Sequence, residues 1–144
     1  MATGDARITV GFCEASWCCM IAIGIGASNS AHPNDFDAAL ELACREAGGC
    51  EEVATLATAT FARHVQAAAE RAALSFRPVM LIGLRERSAD CVTRSKRSLA
   101  LFGVNSIAEA AALVSAGAGS RLIMPRRVIG NITVAAAQSP GRGG

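Results

Sequence analysis

The chain has 144 residues, the size of one domain able to bury a hydrophobic core without structural metals or disulfides. Hydrophobic residues are 51% of it, charged residues 18% and aromatics only 4%, which excludes disorder over most of the length. The net charge of +2 conceals an acidic part, −5 over residues 1–76, and a basic part, +7 over residues 77–144. Such a basic half attracts anions, but no aromatic residues interleave its arginines to stack bases, so nucleic acid is not the expected partner.

Residues 1–19 show no clear period and read as an N-terminal extension, a candidate for disorder. The apolar stretch 17–27 is too short to cross a membrane, and Asp5 and Glu14 break a signal-peptide pattern. Neither export nor a membrane partner is expected, and the localisation implied is cytoplasmic. Residues 20–25 form a continuous, β-branched apolar run closed by Gly24 and Gly26, the pattern of a central strand covered on both faces. Beyond Pro33, the acceptors and charges of Asn34, Asp35 and Asp37 start a helix. Phe36, Leu40, Ala43 and Ala47 give it an apolar face, and Gly48 and Gly49 stop it.

Residues 53–58 predict a second strand, 62–74 a helix, and 79–82 a third buried strand after Pro78 that ends at Gly83. The polar stretch 84–97 reads as a loop with short helical turns, and residues 99–102 pack inward. Ser106 and Glu109 have capping-box spacing, in which each side chain satisfies a free backbone donor of the other's residue. The helix they open ends at Gly117, a left-handed C′ position. Residues 122–124 and 132–136 are the last strands, joined by a connection over 125–131 short enough for a hairpin. Strands alternating with helices predict an α/β fold, a three-layer α/β/α sandwich on a mixed, mostly parallel sheet of about five strands. One domain over 20–138 follows, with 139–144 as a flexible tail.

One glycine loop and three polar clusters are candidate ligand sites. The loop Gly24, Gly26, Ser28, Asn29, Ser30 follows a strand and leads to a helix, where glycines admit close approach and free amides favour anions. It has neither a Walker ending nor the third glycine of a dinucleotide fingerprint. Thr58, Thr60 and Arg63 follow the second strand, at the sheet edge where α/β folds place ligands. Thr93, Arg94, Ser95 and Arg97 make a second cluster, with Thr93 and Ser95 the stronger candidates. Arg126 and Arg127, then Asn131 and Thr133, make a third. Adjacent arginines point to different sides, so only one of that pair, taken as Arg126, is expected to face a pocket. Hydroxyls and guanidinium groups of this kind bind carboxylates.

The cysteines lack paired metal-ligand spacing and are expected to be reduced thiols; no metal and no cofactor are expected. Catalytic sets are absent, with no nucleophile elbow and no zinc-protease motif. His64 is a weak candidate base on a helix.

Two stretches carry a family resemblance: IAIGIGASNSA (residues 21–31) with EVATLATATF (52–61), and GVNSIAEAAALVSAGAGSRLIMPRRVIGNITVAAA (103–137). Together they resemble the CobE / CbiG C-terminal domain family of cobalamin biosynthesis, with matches at Gly24, Ile25, Gly26, Ser106, Glu109, Pro125, Gly130 and Thr133. The resemblance implies an α/β/α domain acting in corrin ring assembly. It implies a precorrin-type tetrapyrrole as ligand, bound by an accessory or carrier protein, with other corrin-pathway enzymes as further candidate partners; a second copy of the chain is a candidate partner apart from the resemblance. Two alternatives stand: a hydrolase opening the ring-A lactone of (cobalt-)precorrin-5A with acetaldehyde release, and a non-catalytic scaffold. The family's cysteine and basic residues after the glycine turn are replaced here by Ala27, Ser28 and Asn29, and Ala62 stands where a lysine is common, which weighs against hydrolysis.

Overall fold

The computed structural model describes residues 20–28 and 30–140. Five strands, β1 (Ile21–Ala27), β2 (Glu52–Leu56), β3 (Ser75–Val79), β4 (Arg121–Ile129) and β5 (Ile132–Gln138), form one sheet in the order β3-β2-β1-β5-β4. β1, β2 and β3 are parallel, while β5 is antiparallel to both its neighbours, β1 and β4. Four strands thus share one direction and β5 alone is reversed, in agreement with the mixed, mostly parallel sheet expected from the alternating pattern.

The helices are α1 (Asp35–Ala47), α2 (Ala62–Arg71), α3 (Leu81–Glu86), α4 (Lys96–Phe102) and α5 (Ile107–Ala116), with a 3-10 turn at Ser88–Asp90. α1 and α2 cover one face of the sheet; α5 lies along the other, with α3 beside it. Side chains alternate accordingly. Ile23, Ile25, Val53 and Val134 point into the α1–α2 layer against Phe36, Leu40 and Val65. Ala22 and Ala137 pack under Ala112, Leu113 and Ala116 of α5.

The small residues of that second face set the depth of α5. A β-carbon at Gly24 would fall far inside contact distance of the Ala108 carbonyl oxygen and 2.5 Å from the Ala112 nitrogen. Glycine therefore lets the helix backbone rest directly on the strand. The far end of α5 is held by Arg87, whose guanidinium donates to the Gly117 carbonyl at 3.1 Å and to the Ser120 carbonyl at 2.9 Å. These acceptors include a helix-end carbonyl that lacks an intrahelical donor.

Several sequence expectations are corrected. The third strand lies earlier than predicted, and residues 81–86, including Gly83, are helical. β3 is an exposed edge strand with only Val79 buried, which is why it tolerates Pro78 and its missing N–H. Residues 125–129 extend β4 rather than forming a loop; the irregular register around Pro125 is compatible with an edge position. Residues 99–102 do not all pack inward: Leu101 is 60% exposed. Gly117 has positive φ (96°) but an extended ψ, not the left-handed helical pair. Cys44 and Cys50, expected to be free thiols, form a disulfide, because Gly48 (φ 87°) and Gly49 turn the chain back and bring their Cα atoms to 5.5 Å. Cys13, Cys18 and Cys19 lie outside the described residues, as does the whole 1–19 extension and most of the 139–144 tail.

Candidate functional site

The ends of β1, β2 and β4 and the start of β5 meet at one edge of the sheet, and a cleft of about 530 Å³ opens there. This is the carboxyl edge of the co-directional strands, flanking the point where chain order reverses between β2 and β5 around β1. Its volume falls in the range of small-molecule sites.

Each wall has a local cause. Thr55 Oγ1 donates to the Ile25 carbonyl at 2.6 Å, which locks the end of β2 to β1. Beyond that lock, Thr58 and Thr60 reach the cleft on the turn before α2, with Phe61. The turn after β1 is tied across to the β4–β5 hairpin by Ser28 N–H donating to the Asn131 carbonyl at 3.0 Å. Gly26 leaves room for the Thr133 hydroxyl, since a β-carbon there would stand 2.8 Å from Thr133 Oγ1. The opposite wall is α4. Its N-cap Ser95 accepts from Ser98 N–H at 3.2 Å, and Arg85 Nε donates to the Phe102 carbonyl at 2.9 Å. The floor is the head of α5, Ser106 and Ile107.

The structure brings eight of the expected site residues together in this cleft: Gly26, Ser28, Thr58, Thr60, Ser95, Arg126, Asn131 and Thr133. Four others stand elsewhere. Gly24 lies under α5, with its backbone paired to Ala135 of β5. Ser30 is exposed and shares a 3.0 Å hydrogen bond with Ser28. Arg63 projects from the exposed side of α2. Thr93 is turned inward, its N–H and hydroxyl both donating to the Glu109 carboxylate at 2.9 Å. Asn29 lies outside the described residues. The amides of the glycine loop, expected to face a ligand, are largely spent within the sheet and hairpin.

The electrostatics of the cleft have one sign. Arg97 and Arg126 line it, and no carboxylate among the described residues does. Neither guanidinium has an acidic partner among the described residues. Arg127 behaves differently: it turns to the other side and pairs with Glu46 of α1, as the expectation for adjacent arginines required. The rim is apolar, with Leu101 60% and Val128 61% exposed. Arg97 joins the cleft from the polar cluster at residues 93–97, in which Thr93 and Ser95 are the stronger sequence candidates, whereas nothing local in the sequence distinguishes Ser98, Ser106 and the rim residues from a helix start and a strand end.

His64 lies outside the cleft, its ring stacked 6.0 Å from that of Phe36. A second hollow of about 460 Å³, between α1 and α2, contains the disulfide and Arg71, which Asp37 already holds by two 2.9 Å hydrogen bonds. Its cation is satisfied, and no expected site residue lies there. No single helix among the described residues is long and apolar enough to cross a membrane.

Residues 21–137 match the family model described as cobalamin synthesis G C-terminus. The fold is similar to the crystal structure of CobE, a protein from the cobalamin (vitamin B12) biosynthetic pathway, with a TM-score of 0.76 over 86% of this chain and 93% of that one; at 20% identity this is a likeness of fold. It is also similar to the cobalamin biosynthesis protein chiG from Agrobacterium tumefaciens str. C58, at 36% identity and a TM-score of 0.67, covering 83% of this chain and 98% of that one. No curated protein matches the chain significantly.

Proposed function

This chain belongs to the cobalamin synthesis G C-terminus family of cobalamin biosynthesis, and from that premise we propose that it holds a precorrin-type tetrapyrrole in the cleft between α4, α5 and the β4–β5 hairpin, as an accessory or carrier protein of corrin assembly. One observation carries this reading: two guanidinium groups without carboxylate partners among the described residues face a cleft that has hydroxyls along its walls and apolar side chains at its rim. A precorrin is a broad apolar ring edged with acetate and propionate arms. The ring suits Leu101, Val128 and Phe61, and the arms suit Arg97 and Arg126.

Binding is favoured over lactone hydrolysis by the chemistry of the lining. Hydrolysis requires a group that activates water, and such groups sit within hydrogen-bond reach of the reacting atom. Among the described residues the cleft offers hydroxyls, amides and guanidinium groups, with no histidine, carboxylate or cysteine.

A spectral titration with a precorrin intermediate tests the proposal. A shifted absorption band without turnover supports it, and Arg97→Ala and Arg126→Ala each weaken binding by about 1–3 kcal/mol. Acetaldehyde release would replace it with the hydrolase reading. Unchanged absorption would end it and leave a docking role toward a pathway enzyme.

A further inference from the structure

At the head of α5 the cleft contains several hydrogen-bond donors with no acceptor among the described residues. Ser98, only 9% exposed, lines the cleft, and its hydroxyl makes no hydrogen bond there; its N–H alone is engaged, by Ser95 Oγ. Ser106, 2% exposed, gives its oxygen to the Glu109 N–H at 3.3 Å and retains its proton for donation. Ile107 N–H, the first amide of this ten-residue helix and part of the cleft lining, and the next amide, Ala108 N–H, which is not in that lining, are also unpaired among the described residues. Helix amides point back toward the helix start, which here forms the cleft floor.

Buried donors left unbonded are costly, and native structures rarely retain them without a partner. The amides only donate, the two hydroxyls can donate as well as accept, and Arg126 lines the same cleft, with the positive end of the α5 dipole behind the set. The carboxylate of that turn, Glu109, is already filled by Thr93 and the Arg126 N–H. An acceptor satisfies such a set, and the guanidinium of Arg126 in the same lining favours an anionic one.

We infer that the head of α5 is the seat of one carboxylate arm of the ligand, with the Ser98 and Ser106 hydroxyls and the first α5 amides taking its oxygens and Arg126 balancing its charge. This assignment rests on the tetrapyrrole reading of the cleft and adds which residues take an acidic arm. Arg97, at the outer wall, is left for a second arm.

The test uses the full chain and uroporphyrin, a stable porphyrin with eight carboxylates, followed by its absorption and fluorescence. Ser98→Ala removes one unbonded buried hydroxyl, so its denaturation midpoint without ligand should be no lower than the parent's. It should bind about tenfold more weakly than the parent, with an unchanged dependence on salt because no charge is lost. Arg126→Ala should weaken binding and also flatten the salt dependence. Parent-like affinity in Ser98→Ala beside a weakened Arg126→Ala would overturn the seat while leaving the cleft reading intact. A parent chain that does not bind uroporphyrin would overturn both. Displacement of uroporphyrin by equimolar inorganic phosphate would assign the head of α5 to phosphate, overturning the carboxylate assignment.

Discussion

Glu109 Oε2 accepts the backbone N–H of Arg126 at 2.8 Å, tying the first turn of α5 to the middle of β4. The same carboxylate takes the N–H and hydroxyl of Thr93. Glu109 is fully buried, and no Lys or Arg side chain pairs with it among the described residues. A lone buried carboxylate is costly unless its oxygens are filled, and three donors fill them here. Glu109→Gln keeps the shape but turns an amide NH2 toward a backbone N–H. It should lose about 1–3 kcal/mol in urea denaturation, and Glu109→Ala should lose more because it strands every donor. A parent-like midpoint for both would show that the tie contributes nothing.

Gly24 and Gly83 make opposite predictions for the same substitution. Gly24→Ala drives a methyl into the backbone of α5, which cannot shift without leaving the sheet, and should cost about 3 kcal/mol or prevent folding. Gly83 sits inside α3, where a β-carbon meets the Val79 side chain at an ordinary 3.5 Å. Gly83→Ala should therefore stabilise by about 0.5–1 kcal/mol through helix propensity and reduced chain entropy. Denaturation of the two variants, side by side, checks both signs.

The layers of the fold were legible where the apolar period was strong. The run at residues 20–25 became β1, and the i, i+4 spacing of Phe36 and Leu40 became the buried face of α1. The family motif was legible too, as the combination of the α5 segment with the last two strands. Other features depended on contacts distant in sequence. Gly24 reads as a ligand-loop glycine until α5 is placed on it. Glu109 reads as half of a capping box: Ser106 does cap its N–H, yet the carboxylate reaches Thr93 and Arg126, 16 and 17 residues away, instead of the Ser106 N–H. Ser98 looks like any first-turn serine, and only the packing of α4 buries it beside the cleft. The error at β3 was one of period, since Met80 and Ile82 suggested a buried strand but are 63% and 70% exposed.

Cys91 should resist alkylation until the solution is strongly alkaline. Burial, and then the nearby Glu109 charge, push its thiol from an ordinary value near 9 up to about 11. The sulfur lies 3.7 Å from the Arg87 and Ser106 carbonyl oxygens, so the protonated form has acceptors. The folded protein holds this proton more tightly than the unfolded chain. The resulting stability is complete below pH 9 and is lost as pH rises through about 11. Iodoacetamide labelling of the native protein, read by peptide mass spectrometry, should be slow at pH 8 and rise toward pH 11. Native labelling at pH 8 at the rate of the urea-unfolded chain would refute the protected thiol.

Ala73 is the single non-glycine residue with positive φ among the described residues, at 60°. It occupies the left-handed position that ends α2, where Leu74 N–H reaches back to the Ala69 carbonyl at 2.9 Å and Ala73 N–H to the Glu70 carbonyl at 3.1 Å. Helices usually place glycine there, because a β-carbon in this conformation crowds the following carbonyl at a cost of about 1–2 kcal/mol. Ala73→Gly relieves that crowding but increases the freedom of the unfolded chain, which takes back about 0.4–1 kcal/mol. The net should be a gain of up to about 1 kcal/mol, read as a higher denaturation midpoint with an unchanged slope. Ala73→Val should move the midpoint the other way, since a branched β-carbon fits the left-handed region worse than alanine does. A fall in midpoint for the glycine variant would mean that α2 does not end in this turn in solution.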